Sequence, residues 1–151
     1  MTGKPTDAFR AEHRHLREHV EHIRLAARGI PELSPEERAA VIGRVVHFLR
    51  HTLAPHAETE ETLLYPEFAR ILGSPQALQP MIYDHVAIRE RIAELDEIDV
   101  ADTARLQEVM YGLYALIVVH FWKEEEIYLP LFDVPGASEV ASLLDHALTE
   151  H

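Results

Sequence analysis

The chain has 151 residues, 26 acidic against 14 basic, and a net charge of −12, a balance that argues against nucleic acid and anionic membrane as partners and suits attraction of cations. It has no cysteine, which excludes disulfides, thiolate metal sites and thiol catalysis. The apolar runs are too short to span a bilayer and the start lacks a secretion-signal layout, so a reducing cytoplasm is the expected compartment. The length fits one domain over residues 1–151, with its core at about 7–132.

Helix signals dominate, and no segment alternates at period two. The first helix is expected from Thr6 or Asp7 to about Arg28, before Gly29 and Pro31. Ser34-Pro35-Glu36-Glu37 reads as a capping box with proline in the first turn. The helix it opens runs to about Tyr65, and Pro66 ends or kinks it before a short continuation to Leu72. Gly73-Ser74-Pro75 is a stop and a new start, and the third helix reaches about Glu97. Asp99 or Asp102 caps a fourth, which reaches about Leu129 before Pro130. After Pro135-Gly136, Ser138 caps a short fifth helix through Leu148.

Each long helix carries an apolar seam with steps of three and four residues. The first reads Phe9, His13, Leu16, Val20, Ile23, Ala27. The second has rows at Ile42, Leu49, His56, Leu63 and at Val46, Leu53, Glu60. The third reads Leu78, Met81, His85, Ile88, Ile92, Leu95. The fourth reads Leu106, Met110, Leu113, Ile117, His120, Glu124, Ile127, Leu131. Four one-sided helices with short connections make an all-α, up-down-up-down four-helix bundle, with the short fifth helix at its C-terminal end.

The polar residues that interrupt the seams carry the function. They are His13, His56 with Glu60, His85, and His120 with Glu124. An unpartnered buried carboxylate costs several kcal/mol, and two would cripple a small domain. A cation removes that cost, and histidine at i with glutamate at i+4 share one helix face. His56-x-x-x-Glu60-Glu61-x-x-x-x-Pro66 recurs as His120-x-x-x-Glu124-Glu125-x-x-x-x-Pro130, and Glu12-His13-x-x-Leu16 pairs with Asp84-His85-x-x-Ile88. The chain thus reads as two helical hairpins about a pseudo-twofold axis, with six ligands for two metals. Imidazole and carboxylate without sulfur favour iron or manganese, with zinc a weaker fit. Iron is the choice for a carboxylate-bridged pair in a bundle. A ferritin-like bundle needs two Glu-x-x-His motifs, and Glu12-x-x-His15 stands alone.

On these motifs, from about Asp7 to Phe132, the sequence resembles the hemerythrin-like HHE cation-binding family. The resemblance implies a bundle holding two iron ions, ferrous or ferric and oxo- or hydroxo-bridged. Their ligands would be His13, His56, Glu60, His85, His120 and Glu124. It also implies an open position for dioxygen, peroxide or nitric oxide. Two departures from the oxygen carriers stand out. Met81 lies where the carriers have a further histidine, and Glu125 where they have an aspartate. The position left over falls to water, a tyrosine or another carboxylate, which favours reaction over reversible oxygen storage.

Single core histidines are usually satisfied by a backbone carbonyl, but four aligned with two seam glutamates are not explained that way. Glu61, Glu125 and Glu126 read as solvated or supporting groups, with Glu61 or Glu125 able to exchange roles with its neighbour. Among the other histidines, only His19 lies near a seam edge. Tyr65, Tyr83, Tyr111, Tyr114 and Trp122 read as packing, and the Leu63-Leu64 and Val118-Val119 pairs as core. The expected function is oxidant or oxygen handling, by catalase-like or peroxidatic turnover, or sensing through a protein partner. The alternatives are storage of iron or another divalent metal without turnover, and a purely structural bundle.

Overall fold

In the computed structural model, which describes Gly3 and residues 6–133, every long element is a helix and no strand occurs among the described residues. The α-helices are α1 (Asp7–Gly29), α2 (Pro35–Phe48), α3 (Ala54–Thr59), α4 (Tyr65–Leu72), α5 (Gln79–Glu97) and α6 (Thr103–Lys123). The segments α2, α3 and α4 form one long composite helix, joined by π-helical stretches at Leu49–Leu53 and Glu60–Leu64. α6 continues through a third π-helical stretch, Glu124–Tyr128, into a 3₁₀ turn at Leu129–Phe132. The fifth helix expected over 138–148 lies outside the described residues.

Local chemistry sets the boundaries. The Ser34 hydroxyl accepts the Glu37 amide at 3.1 Å, and the Glu37 carboxylate accepts the Ser34 amide at 3.0 Å, a complete capping box. The first helix ends at Gly29, within a residue of the expected stop, and the chain tightens there into a 3₁₀ turn at Ile30–Glu32 that accommodates Pro31. Gly73 ends α4 in the left-handed conformation, φ 71°, which an L side chain would adopt only under strain. Asp102, not Asp99, caps α6, accepting the Arg105 amide at 3.1 Å.

α1 packs on α6, α6 on α5, α5 on α2 and α2 on α1, closing a four-membered ring of helices. Neighbours are antiparallel. Gln107 near the start of α6 bonds the Ala27 carbonyl near the end of α1, while Arg10 at the start of α1 bonds the Glu125 carbonyl at the far end. No helix among the described residues is long and apolar enough to cross a membrane.

Two apolar clusters fill the bundle. The larger runs from Leu16, Leu53, Ile88, Ile117 and Phe121 toward the Ile30 end. The smaller holds Phe9, Leu64, Tyr65, Phe68, Leu78, Met81, Leu129 and Phe132. The polar seam residues lie in the layer between these two clusters.

The first and third seams are buried as their spacing predicts. The other two slip by one residue beyond their glutamates. Leu63 is only half-buried while Leu64 and Tyr65 are buried; Ile127 is 50% exposed while Leu129 is buried; Leu131 gives way to Phe132. The cause is the π turn after each glutamate, in which the Tyr65 amide bonds back to Glu60 and the Leu129 amide to Glu124, one residue further than in an α-helix. Each π turn runs directly into a proline, Pro66 or Pro130, and the stretch at Leu49–Leu53 is likewise followed by Pro55. Proline lacks the amide that an α-helix needs and its ring clashes with the carbonyl four residues back, so the widened turn removes the conflict. Val119, expected in the core, is 54% exposed.

Candidate metal centre

All six predicted seam residues converge. His13, His56, Glu60, His85, His120 and Glu124 are each no more than 3% exposed. On one side, the Nε2 atoms of His13 and His56 face each other at 3.3 Å. On the other, those of His85 and His120 face each other at 2.9 Å.

The glutamates lie between the two pairs, Glu60 with one oxygen turned to each pair and Glu124 with one oxygen set between them. Glu60 Oε1 is 2.7 Å from His56 Nε2, while its Oε2 lies 3.7 Å from His120 Nε2 and 4.0 Å from His85 Nε2. Glu124 Oε1 lies between the pairs, 3.5 Å from His13 Nε2 and 3.4 Å from His120 Nε2, and its Oε2 accepts from the Tyr65 hydroxyl at 2.9 Å. Glu60 and Glu124, rather than Glu61 and Glu125, therefore lie between the two imidazole pairs.

The Tyr65 phenol stands inside the second group. It donates toward Glu60 Oε2 at 2.8 Å and lies 3.1 Å from His120 Nε2 and 3.3 Å from His85 Nε2. The seam alone did not bring it here. Five residues after Glu60, an α-helical Tyr65 would point well away from the site, and the π turn swings it back.

A ring of carboxylates holds the imidazoles from outside. His56 Nδ1 meets Glu12 Oε1 at 3.0 Å, His85 Nδ1 meets Glu61 Oε1 at 2.7 Å, and His120 Nδ1 meets Asp84 Oδ2 at 2.8 Å. His13 Nδ1 faces Glu125 Oε1 at 3.5 Å. Three of these acids are held in turn by cations: Glu61 by Arg89, Asp84 by Lys123 and Glu125 by Arg17. The supporting role of Glu61 and Glu125 agrees with the sequence reading. Glu126 is exposed and stands apart. The roles of Glu12 and Asp84 were not legible beyond their place beside His13 and His85.

This arrangement fits metal ions. With Nδ1–H donated outward to a carboxylate, His56, His85 and His120 each turn an Nε2 lone pair inward. Two lone pairs at 2.9 Å repel unless a cation lies between them. Glu60 Oε1 and Glu124 Oε1 are buried with imidazole nitrogens beside them, a costly state when those nitrogens carry no proton and one that a bound cation relieves. His13, His56 and Glu60 form one cluster whose donor atoms lie within 4.8 Å of one another, and Glu60, His85 and His120 form another.

Without metal, protons take over part of this balance. Burial disfavours a charged His56, but Glu60 and Glu12 outweigh it and push its pKa up to about 9. Burial likewise opposes charging His120, yet its bonds to Asp84 and Glu60 raise its pKa. Burial lowers His13 and His85 despite their acidic neighbours. Glu60 stays well below the usual carboxylate range, because His56 and His120 overcome the effect of burial. Burial, reinforced by Glu60, holds Tyr65 well above the ordinary phenol value.

The remaining histidines within the described residues stay outside. His15, His19, His22, His47 and His51 are exposed, and His19 stacks on Phe48 rather than reaching the site. Tyr83 and Trp122 are exposed, at 74% and 54%. His146 and His151 lie outside the described residues. Met81 is fully buried in the smaller apolar cluster.

Fold and site together define a helical-bundle protein built to bind cations between its helices. The model of the hemerythrin HHE cation-binding domain matches residues 4–132, and the chain belongs to that family. Searches of curated proteins and of solved structures gave no significant match.

Two predictions follow from this geometry. Because the folded pKa of His56 is raised from 6.5 to about 9, its charged form stabilises the metal-free protein fully below pH 6.5, and that contribution is lost as pH rises through about 9. Metal must displace the same proton, so affinity should climb about tenfold per pH unit for each proton released, up to about pH 9. Competition titrations with a chelator between pH 6 and 9, paired with melts of the metal-free protein, would show opposite slopes. Asp84→Asn should weaken metal binding about 10- to 100-fold while leaving the fold intact, since it loosens the orientation of His120. Metal titration followed by circular dichroism checks it.

Proposed function

We propose that this chain is a dinuclear non-haem iron protein that binds or reacts with dioxygen, peroxide or nitric oxide. The observation that carries the reading is the pair of buried glutamates set between the two imidazole pairs, Glu60 with one oxygen beside each pair and Glu124 with Oε1 beside both His13 and His120. Four imidazoles, two bridging carboxylates and no sulfur favour iron or manganese over softer metals. His13 and His56 would hold one ion, His85 and His120 the other, with Glu60 and Glu124 shared. Bound there, iron supplies one- and two-electron redox chemistry toward a small oxidant.

The chain's own residues set the conditions for that chemistry. The outer carboxylates fix each ring and raise the basicity of its inward nitrogen. The two apolar clusters exclude bulk water above and below the polar layer. Access is by a small cavity of about 20 Å³, room for one water-sized molecule, that reaches His56, Glu60, His85 and His120. Its remaining walls include Leu53, Ala57, Ile88 and Ile117, with Arg89 at its rim.

The cavity has a sequence cause. Phe121, the residue after His120, stacks on His13 with ring centroids 4.3 Å apart. The pseudo-symmetric residue after His56 is Ala57, and the space a second ring would fill is left open. So small an apolar passage favours uncharged ligands of two or three heavy atoms over larger substrates.

Metal analysis of protein purified without chelators, with visible spectra before and after peroxide, tests the proposal. About two irons per chain and a spectrum that responds to peroxide are expected. Two irons with no response would leave storage without turnover, and a colourless metal-free protein would leave a structural bundle. Ala57→Phe should keep both irons and slow the spectral response to peroxide, measured by stopped flow; an unchanged rate would place the access route elsewhere.

A further inference from the structure

The pseudo-twofold that organises the site is broken at one inward position. Counting from the bridging glutamates, Tyr65 follows Glu60 by five residues and Leu129 follows Glu124 by five. Both are delivered by the same π turn and both are buried, Tyr65 at 2% exposure and Leu129 at 0%. One is a phenol and the other a hydrocarbon. The two halves of the centre therefore cannot be chemically equivalent.

The position of the phenol oxygen is informative. Its four polar neighbours are Glu60 Oε2 at 2.8 Å, Glu124 Oε2 at 2.9 Å, His120 Nε2 at 3.1 Å and His85 Nε2 at 3.3 Å. Adjacent donors around an octahedral ion with bonds of about 2.1 Å are about 3.0 Å apart. Each vertex of an octahedron has four such neighbours, and the phenol oxygen has four at that spacing. A hydroxyl with a single proton cannot satisfy two carboxylates at once, so hydrogen bonding alone accounts poorly for the cluster. The phenol also stands in the half where Met81 provides no donor.

We infer that Tyr65 is a direct phenolate ligand of the ion held by His85 and His120, an assignment that rests on the dinuclear iron reading above. On binding, the phenol O–H bond breaks, its proton passes to solvent, and an oxygen lone pair forms the bond to the metal. No electron is transferred in this step. The centre becomes asymmetric, with five protein donors on the Tyr65 side: His85, His120, Tyr65, Glu60 and Glu124. The other side has four, His13, His56, Glu60 and Glu124, with Leu129 where a fifth would come. By donor count, the exchangeable positions are thus concentrated on the His13/His56 ion; the cavity itself is lined by His56 and by both His85 and His120.

Ferric iron bound to phenolate has a charge-transfer band in the visible, and Raman excitation within that band enhances the phenolate ring modes. The iron-loaded ferric protein should show both. Tyr65→Phe should lose band and ring modes entirely while keeping two irons per chain. Two irons with no phenolate modes in the unmodified protein would overturn the assignment and leave the dinuclear centre standing, as would modes that persist in Y65F. Failure to bind iron at all would remove the underlying reading and this assignment with it. Should Y65F not fold, the unmodified protein grown on ring-deuterated tyrosine decides the matter. The ring modes must then shift, and Tyr65 is the tyrosine within the described residues whose hydroxyl contacts the centre.

Discussion

Two carboxylates at 1% exposure in the middle of a small apolar bundle are the constraint on which the rest of this structure depends. Their charge cannot be hydrated there, so it must be met by groups whose positions are fixed. The response is a set of nested shells of alternating character. Glu60 and Glu124 lie at the centre, ringed by four imidazoles; the imidazoles are ringed by Glu12, Glu61, Asp84 and Glu125; Arg89, Lys123 and Arg17 close the outside. The apolar clusters above and below protect this layer while supplying most of the favourable free energy of folding.

The wiring of the shells follows from helix geometry. Neighbouring residues on a helix point about 100° apart, so one can face the centre while the next faces an adjacent helix. The motifs use this four times. His13 faces inward and Glu12 reaches His56; His85 faces inward and Asp84 reaches His120; Glu60 faces inward and Glu61 reaches His85; Glu124 faces inward and Glu125 turns to His13. Each helix thus contributes to the centre and braces a ring that belongs to another. Orientation of the imidazoles is a property of the assembled bundle and of no single helix.

The sequence was legible wherever helical period alone decides. His13, His56, Glu60, His85, His120 and Glu124 fell on one face of each helix because steps of three and four residues keep a side chain on that face. Beyond Glu60 and Glu124 the same rule put Leu63, Ile127 and Leu131 inside, and the structure has Leu64, Leu129 and Phe132 there. A period of 3.6 cannot anticipate an inserted residue. The prolines six residues after each glutamate were the available signal, since each demands a local departure from the α-helical ladder. Tyr65 was read as packing for the same reason. Glu12 and Asp84 escaped because their partners sit on other helices, and pairings between helices have no imprint on spacing within one. The neighbouring motif members Glu61 and Glu125 were readable as supporting groups because their phase turns them from the seam.

The three π turns also divide the bundle mechanically. His13 and His85 project from α1 and α5, whose hydrogen-bond ladders are continuous through the metal layer. Glu60 and Glu124 begin π turns, and the proline at the end of each has no amide to return to the ladder. The helices that carry Glu60 and Glu124 are therefore the interrupted walls of the box, and the other two are its continuous walls. A change in metal–ligand bond length at the centre would be taken up by small adjustments in the turns at 60–64 and 124–128, with α1 and α5 holding the frame.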